Sequence, residues 1–396
     1  MIVACIVTNL SIYTSSVFNN GQDSYNSAHR LPNGDTLIAE TEAGGLAMEE
    51  NRLVFQSSYN TSLDSVIEVT PSGTIAWAQS GFFNPHEALL AAGYLFVADT
   101  EHDRVVAIDY PSHDIVWSWE PAKINWTQVN PEWGPGHYYN KPIATDWTHV
   151  NEVHVKNYGS WTACLISLRN FDLVVEVNFT ADLLMPSNAA NIVWYYGDYG
   201  NHSLLFHQHD PVYLPDGNVL ISDSDNNRIV EINYTTRKEM WEYQPGDLNW
   251  PRSATLLPDG NMIISHFDEI RIINTTTKST VWSYTGDFYS VYAVDYLPNG
   301  DILFGSDFSH VVEEVSPSGT IIWEYGQPFI RNIVWFNTLY GMGLEILILI
   351  IVLNGYRGKY KKIATLIMCG ALLTAGVIFL AKSSFIMATI FLTLAR

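Results

Sequence analysis

A short pattern centred on tryptophan returns along the whole chain and constrains its fold more than any other feature. It stands in the segments TIAWAQ, DIVWSW, NIVWYY, KEMWEY, STVWSY and TIIWEY, whose tryptophans are Trp77, Trp117, Trp194, Trp241, Trp282 and Trp323. Four of the five intervals measure 40 to 47 residues. The longer interval, before Trp194, holds an insertion from about Pro121 to Asp146 that is rich in Pro, Trp and Gly. Self-similarity at this period indicates repeated structural units.

Each unit also contains a turn followed by a strand-like segment. The turns and strands read LPNGDTLIA, LPDGNVLIS, LPDGNMIIS and LPNGDILFG, and β-branched segments such as RVVAID and RIVEIN follow them. Four short strands in 40-odd residues, separated by Pro, Gly, Asp and Asn, are typical of a propeller blade. The sequence therefore predicts an all-β chain, a six-bladed β-propeller over residues 21–328.

Charge and cysteine content exclude several function classes. The 396 residues contain 20 Lys and Arg against 41 Asp and Glu, a formal net charge of −21. Such a chain repels nucleic acid, so a nucleic-acid partner is not expected. Its three cysteines, Cys5, Cys164 and Cys369, form no CxxC pair. We therefore expect neither a disulfide framework nor a cysteine zinc site, and no cofactor.

The C-terminal end is strongly apolar. Residues 333–353 and 363–381 are each long enough to span a membrane as a helix, and the loop 354–362 between them is basic. The positive-inside rule predicts that this loop is cytoplasmic and the propeller extracellular. Residues 382–396 form a short apolar tail, and residues 1–20 form an N-terminal segment that is a candidate for the remnant of an export signal. The sequence thus predicts a membrane anchor made of a two-helix hairpin.

Sequons for N-glycosylation support the same orientation. They begin at Asn9, Asn60, Asn125, Asn178, Asn201, Asn233 and Asn274. Glycan transfer happens outside the cytosol, so their use would place the propeller on the outer side. We expect a cell-membrane protein with an extracellular propeller.

Equivalent positions in the inner strands of a propeller converge on its axis. Counting five residues back from each turn leucine or its equivalent gives Asn26, His86, His209, Arg252 and Tyr292. Blade 3 lacks the turn, but its segment DWTHVNEV offers His149 and Asn151, and LISLRN offers Arg169 where other blades have Thr100 or Ser224. A basic, polar throat in an acidic protein is what an anionic ligand requires.

The order of these motifs resembles the arylsulfate sulfotransferase family. The similarity rests on DWTHVNEV with LISLRN, on FHQHDPVYLPDGNVLI and on NPHEALL, and it spans residues 20–326. It implies transfer of a sulfuryl group from a phenolic sulfate to a phenol through a sulfated histidine, without a metal or a nucleotide sulfate donor. His209 would be the nucleophile, while His149 and Arg169 would hold the sulfuryl oxygens and the phenolate. The resemblance further implies that Asn151 orients them and that His86 is an acid/base or binding group. Arg252, Tyr292 and Asn26 are candidate substrate-binding residues because of their predicted positions at the axis.

Three features of this sequence depart from that family. Glu87 follows His86 where the family has Asp, no cysteines are placed for a disulfide, and a membrane hairpin is not a family feature. A non-catalytic propeller that binds a glycan, a peptide or a membrane-protein partner is therefore the alternative. A metal site at His202, His207 and His209 is a further alternative, because His207 and His209 would share one face of a strand and His202 is close in sequence.

Overall fold

The computed structural model describes residues 23–42, 46–49, 52–55, 64–134, 137–138, 146–286, 288, 290–306 and 309–326. The predicted transmembrane helices 333–353 and 363–381, the loop 354–362, the tail 382–396 and the segment 1–20 lie outside these residues. In the part that is described, no helix combines the length and the apolar character needed to cross a bilayer.

The described residues form six four-stranded antiparallel sheets, each made of strands that follow one another along the chain. Blade 1 contains β1 (Asp23–Arg30), β2 (Thr36–Glu42), β5 (Ser65–Val69) and β6 (Ile75–Ser80), with a separate hairpin of β3 (Leu46–Glu49) and β4 (Arg52–Phe55). Blade 2 contains β7 (Pro85–Ala91), β8 (Tyr94–Asp99), β9 (Arg104–Asp109) and β10 (Asp114–Trp119). Blade 3 contains β11 (Val150–Asn157), β12 (Thr162–Leu168), β13 (Leu173–Asn178) and β14 (Ile192–Gly197).

The second half repeats this plan. Blade 4 contains β15 (His209–Tyr213), β16 (Val219–Asp223), β17 (Arg228–Ile232) and β18 (Glu239–Tyr243). Blade 5 contains β19 (Ser253–Leu256), β20 (Asn261–His266), β21 (Glu269–Asn274) and β22 (Thr280–Tyr284). Blade 6 contains β23 (Val291–Tyr296), β24 (Ile302–Ser306), β25 (Val311–Val315) and β26 (Ile321–Gly326). Two single-turn helices, α1 (Trp126–Val129) and α2 (Phe179–Asp182), lie in connections.

Blade 6 closes the ring against blade 1. Nδ1 of His29 on β1 lies 3.0 Å from a carboxylate oxygen of Asp295 on β23, and Arg30 forms a 2.6 Å ion pair with Glu314 on β25. The innermost strands of consecutive blades are likewise in contact around the ring. The prediction of an all-β, six-bladed β-propeller is confirmed.

The six repeated tryptophans join each blade to the next. Every one lies in the outer strand of its blade and reaches the connection between the third and fourth strands of the following blade. Four donate Nε1–H to a backbone oxygen there: Trp194 to Tyr234, Trp241 to Thr275, Trp282 to Pro317, and Trp323 to Pro71. Trp117 donates to the carboxylate of Asp182, and Trp77 stacks on His113. The repeat thus supplies a directional hydrogen bond or a ring contact at each blade interface, in addition to packing.

Polar side chains near the axis make a second set of links. Each donates to a backbone oxygen at the start of the next inner strand: Asn26 to Pro85, Thr100 to Val150, Asn151 to Gln208, Ser224 to Pro251, and Ser265 to Tyr292. Because these side chains are buried, the bonds satisfy groups that would otherwise destabilise the fold. These bonds fix the position of each inner strand along the propeller axis relative to the next inner strand.

The insertion before blade 3 is packed where it is described. Trp126, Trp133 and Tyr138 are buried, and the Tyr138 ring stacks on Phe171 at 4.3 Å. These aromatics belong to the core beneath blades 2 and 3. The insertion therefore contributes these three rings to the hydrophobic core.

Candidate functional site

Irregularities in the inner strands bring the predicted axial residues together. The pairing of first and second strands shifts register at Asn26, at His86 and at Asn151, while in blade 6 the shift includes Tyr292. In blade 4 the shift follows His209 directly, and Arg252 precedes β19. A β-bulge bends its strand and re-aims a side chain. The bulges therefore explain how residues five positions before the turns reach the axis.

We call Asn26, His86, Asn151, His209, Arg252 and Tyr292 the axial ring. A second ring of residues lies two positions before them along the chain. Five of its members have left-handed backbone conformations, with φ of 52° at Asn84, 47° at His149, 49° at His207, 51° at Trp250 and 58° at Ser290. This conformation is uncommon for residues other than glycine. It recurs because the chain must turn from the preceding connection into each inner strand. We call these five residues the rim.

Four aromatic side chains from different blades meet near the axis, and one of them, His149, belongs to the rim. The hydroxyl of Tyr292 and Nδ1 of His86 are 2.7 Å apart. The His86 ring also makes an edge contact with His149 at 4.8 Å between centroids, and the Tyr292 ring makes one with His209 at 5.7 Å. Blades 2, 3, 4 and 6 thus contribute one ring each to a single cluster.

The hydrogen bonds of His209 define its tautomer. The hydroxyl of Ser224 donates to the backbone oxygen of Pro251 at 2.6 Å, so its oxygen accepts from Nδ1–H of His209 at 2.8 Å. Nε2 then carries the lone pair, and Nη1 of Arg252 donates to it at 2.8 Å. A neutral imidazole with this tautomer presents Nε2 as the nucleophilic atom.

Arg252 is a buried cation without an ion pair among the described residues. Its side chain is 5% exposed and lies over the rings of Trp250 at 3.5 Å and Tyr292 at 4.2 Å. Its Nε atom is buried and lacks a hydrogen-bond partner. A buried guanidinium is costly unless an anion or hydrogen bonds compensate it. An anion that reached this side chain would compensate both its charge and the unused donor.

Arg169 adds a second guanidinium close to the cluster, where its charge acts on His149 and His209. It occupies the position that Thr100 and Ser224 hold in blades 2 and 4, as the sequence predicted, and its Nη1 donates to Asn170 at 2.9 Å. Burial and the neighbouring charge of Arg252 lower its pKa from the usual value. Two cations at one place favour a ligand with several anionic oxygens.

Burial keeps the histidines of the cluster neutral. Desolvation and then the charge of Arg252 hold the pKa of His209 well below 6.5. Desolvation and the neighbouring His149 do the same for His86, and desolvation and Arg169 for His149. Neutral imidazoles can act as nucleophiles or proton acceptors at neutral pH.

Two carboxylates hold the rim histidines. Asp146 lies 2.6 Å from Nδ1 of His149, and Asp225 lies 2.6 Å from Nδ1 of His207. Burial raises the pKa of Asp146 to about 7. Burial also disfavours the charge on Asp225, yet the bond from His207 and the charge of Arg169 bring its pKa below the usual value. Asp225 is therefore the ionised partner, and it also accepts from Nε1–H of Trp250 at 2.9 Å.

Two predicted substrate-binding residues lie at blade interfaces. The amide of Asn26 donates to Pro85 at 2.9 Å and lies 3.3 Å from the hydroxyl of Thr41. The amide of Asn151 donates to the backbone oxygen of Gln208, next to His209, while its Oδ1 is buried without a partner. The contacts of Asn26 are those of a structural link, and Asn151 supports the strand that carries His209.

The histidines considered for a metal make separate contacts. His202 stacks on Phe206 at 3.8 Å, His207 binds Asp225, and His209 binds Ser224 and Arg252. Within the part of the chain that the structure describes, no group of three or more His, Cys, Asp or Glu side chains is arranged to hold a metal ion.

A layer of carboxylates, which sequence reasoning missed, lies one position beyond the axial ring. Burial raises the pKa of Asp210 to about 7 and that of Glu152 well above 4.5, the latter with help from Glu87. His29 lies between Glu87 at 2.7 Å and Asp295 at 3.0 Å. Burial opposes its charge, but the two carboxylates hold the pKa of His29 well above 6.5. His29 is therefore an imidazolium that links blades 6, 1 and 2.

The sequons differ in accessibility. Asn125 and Asn201 are exposed, whereas Asn178, Asn233 and Asn274 are half-buried. The amide nitrogen of Asn233 donates to Asn218, and that of Asn274 to Asn261. Asn9 and Asn60 lie outside the described residues. Of the described sequons, Asn125 and Asn201 are the ones whose amide nitrogens are best placed for modification.

Comparisons with known proteins find resemblance at the level of solved structures. No protein-family model matches the chain, and no curated protein matches it significantly. A streptogramin B lyase structure has 13% identity and a TM-score of 0.48, over 77% of this chain and 84% of that one. The virginiamycin B lyase of Staphylococcus aureus has 11% identity and a TM-score of 0.47, over 78% and 86%. A Bacteroides caccae protein of unknown function has 11% identity and a TM-score of 0.45, over 67% and 91%. At this level, the function must be argued from the site itself.

Proposed function

We propose that this propeller transfers a sulfuryl group from a phenolic sulfate to a phenol through a sulfated His209, as a sulfotransferase similar to the arylsulfate sulfotransferases. One observation carries the proposal: Nε2 of His209 presents its lone pair to the buried guanidinium of Arg252, which has no ion pair among the described residues. A nucleophilic nitrogen and a cation that can bind an anion are thus in direct contact.

The chemistry follows from these groups. A sulfate anion near Arg252 competes for its guanidinium, which frees the lone pair of His209. Sulfuryl transfer, like phosphoryl transfer, spreads negative charge over three oxygens in the transition state. Its catalysis depends mainly on hydrogen-bond donors and cations positioned around those oxygens. Arg252 and Arg169 can bind those oxygens with their planar forks. In the first half-reaction the Nε2–S bond forms and the S–O bond to the phenol breaks.

Ser224 and Tyr292 have supporting roles in this scheme. The proton on Nδ1 of His209 stays bonded to Ser224, so the sulfated ring is cationic and leaves readily in the second half-reaction. A phenol oxygen then attacks sulfur, the S–N bond breaks, and its electron pair returns to Nε2. The rings of Tyr292, His86 and His149 form the wall against which the phenol lies.

We further propose the cell surface as the place of action, with the hairpin of residues 333–353 and 363–381 as a membrane anchor and as the contact for a membrane-protein partner. This rests on the apolar stretches, the basic loop and the sequons. Fractionation of cells that express the full chain tests it: the protein should pellet with membranes and its propeller should be accessible to external protease.

Intact-mass spectrometry tests the activity. The full chain, purified in mild detergent, is incubated with 4-nitrophenyl sulfate without an acceptor, and a mass gain of one sulfuryl group that maps to His209 is expected. Addition of phenol should discharge it. His209→Ala should abolish both the adduct and phenol release while its circular dichroism spectrum stays that of the wild type. Full transfer by this variant would disprove the mechanism.

A non-catalytic anion-binding propeller is the second candidate. It is favoured by the burial of the cluster, since His209 is 0% exposed and its Nε2 already accepts from Arg252. In that case no adduct forms, while sulfate or an aryl sulfate still stabilises the folded protein against heat.

A further inference from the structure

We infer that His207, held by Asp225, is a catalytic acid and base that exchanges the proton of the phenol during the proposed sulfuryl transfer. This inference rests on the proposed function and assigns to it a group outside the axial ring. The geometry that points to it is the arrangement of His207, Asp225 and Trp250 at the rim.

The first step is the orientation of the His207 ring. Its Nδ1 lies 2.6 Å from Oδ2 of Asp225, an ionised carboxylate that can only accept, so Nδ1 carries a hydrogen. Among the residues that the structure describes, none is bonded to Nε2. A carboxylate that holds one nitrogen of an imidazole leaves the other free to gain or lose a proton and stabilises the cation that results.

The second step connects this pair to the nucleophile. Asp225 also accepts from Nε1–H of Trp250, whose ring lies 3.5 Å from the guanidinium of Arg252. Arg252 in turn binds Nε2 of His209. His207 stands two residues before His209 in the same blade, and its side chain is 27% exposed. It is therefore more exposed than His209 and close enough for its charge to act on His149, and the inference assigns the phenol part of a substrate to this side.

The third step compares His207 with His149, the other rim histidine with a carboxylate. Burial holds the pKa of His149 well below 6.5 and raises that of its partner Asp146 to about 7. That pair is poorly suited to carry a cation. The ionised Asp225 supports an imidazolium, which is the form that donates a proton to a departing phenolate.

The proton balance closes over both half-reactions. The proposed cycle begins with His207 as an imidazolium. When Nε2 of His209 attacks the aryl sulfate, the S–O bond breaks and the phenolate oxygen takes the proton from Nε2 of His207. His207 is then neutral. When the acceptor phenol attacks the sulfated His209, its proton moves to Nε2 of His207 and the S–N bond breaks. Both histidines return to their starting states, and no other reactant is required.

The class of substrate follows from this role. Phenolates of unsubstituted or alkyl-substituted phenols are strong bases and need a proton as they leave. A nitrophenolate is a weak base and leaves without one. His207 therefore adapts the site to sulfates of ordinary, unactivated phenols.

The left-handed backbone at His207 allows a mild test. Glycine adopts φ near 49° without strain, so His207→Gly removes the imidazole and preserves the fold. Formation of sulfated His209 is timed with phenyl sulfate and with 4-nitrophenyl sulfate. We expect a loss of about 10²-fold with phenyl sulfate and less than about threefold with 4-nitrophenyl sulfate. Added imidazole should restore the rate with phenyl sulfate.

His202→Gln is the matched control, since His202 is half exposed and stacks on Phe206 in the same connection. It should leave both rates unchanged. Equal slowing of His207→Gly with both donors, or no rescue by imidazole, would show that His207 is structural and overturn the inference. If the wild type itself forms no sulfated histidine with either donor, the proposed function fails, and this inference with it.

Discussion

Nη1 of Arg252 lies 2.8 Å from Nε2 of His209, so the cation of one blade caps the lone pair of another. Burial holds the pKa of His209 well below its usual value, and the contact adds to this because a nearby positive charge disfavours a second one. In the proposed mechanism the contact also occupies the atom that reacts, so an anion would first have to attract the guanidinium away from it.

Arg252→Met should weaken sulfate binding by about 10- to 100-fold, because it removes hydrogen bonds from a charged donor. The measurement is the rise in Tm on adding sodium sulfate, with sodium chloride at equal ionic strength as the reference. The wild type should be stabilised by linkage and the variant much less. Arg237→Met is the control, since Arg237 lies over Tyr195 away from the cluster. An equal sulfate effect in the wild type and Arg252→Met would contradict this role.

His29→Asn should lower the free energy of unfolding in a pH-dependent way. The folded-state pKa of His29 is raised, so its contribution is fully present below the unfolded value of about 6.5 and is lost as pH rises through the folded value. Breaking a buried ion pair costs about 3 kcal/mol. Urea unfolding from pH 5.5 to 9 should show the largest difference from wild type at the acidic end. A difference that grows with pH would refute the assignment of an imidazolium.

Gly326→Ala should be more destabilising than Gly73→Ala. Both glycines have positive φ, 96° and 79°, so both variants bear the strain of about 1 to 2 kcal/mol that a Cβ adds there. An added Cβ at Gly326 would lie 2.5 Å from Tyr25 and 2.7 Å from the backbone oxygen of His310, while at Gly73 it meets nothing within 4 Å. Overpacking at the junction of blades 6 and 1 adds about 1 to 3 kcal/mol. Chemical denaturation of the two variants measures the difference, and equal stability would argue against a tight closure there.

Glycan mapping should find Asn125 and Asn201 occupied more fully than Asn178, Asn233 and Asn274 if the propeller is exported. The two preferred asparagines are exposed, whereas the amide nitrogens of Asn233 and Asn274 are bonded to neighbouring asparagines. Peptide mass spectrometry of protein from a glycosylating host measures occupancy. Even occupancy of all five sites would indicate that the half-buried amides open before modification.

The propeller and the axial ring could be predicted from the sequence because each depends on a fixed offset. The distance from the turn leucine to the axial residue is the same in blades 1, 4, 5 and 6, so Asn26, His209, Arg252 and Tyr292 could be aligned without a structure. Arg169 could be found because it replaces a small hydroxyl residue at an equivalent position.

The rim could not be predicted in the same way. Its five members share a positive φ but not one residue type, so no repeated residue marks these positions in the sequence. They are Asn84, His149, His207, Trp250 and Ser290. The link from His29 to Glu87 and Asp295 was missed because it joins three blades whose order in space is set by ring closure. One signal was available: in three inner strands the axial residue is followed by an acidic one, Glu87, Glu152 or Asp210, and acidic residues near a closed axis require partners.

The division of the site among blades bears on how such a protein can change over generations. His86, His209, Arg252 and Tyr292 come from four repeats, each held by its own turn and its own tryptophan contact. A substitution in one repeat alters one chemical group and leaves the frame of the others intact. The same scaffold can therefore acquire affinity for new ligands through successive substitutions, each confined to one repeat.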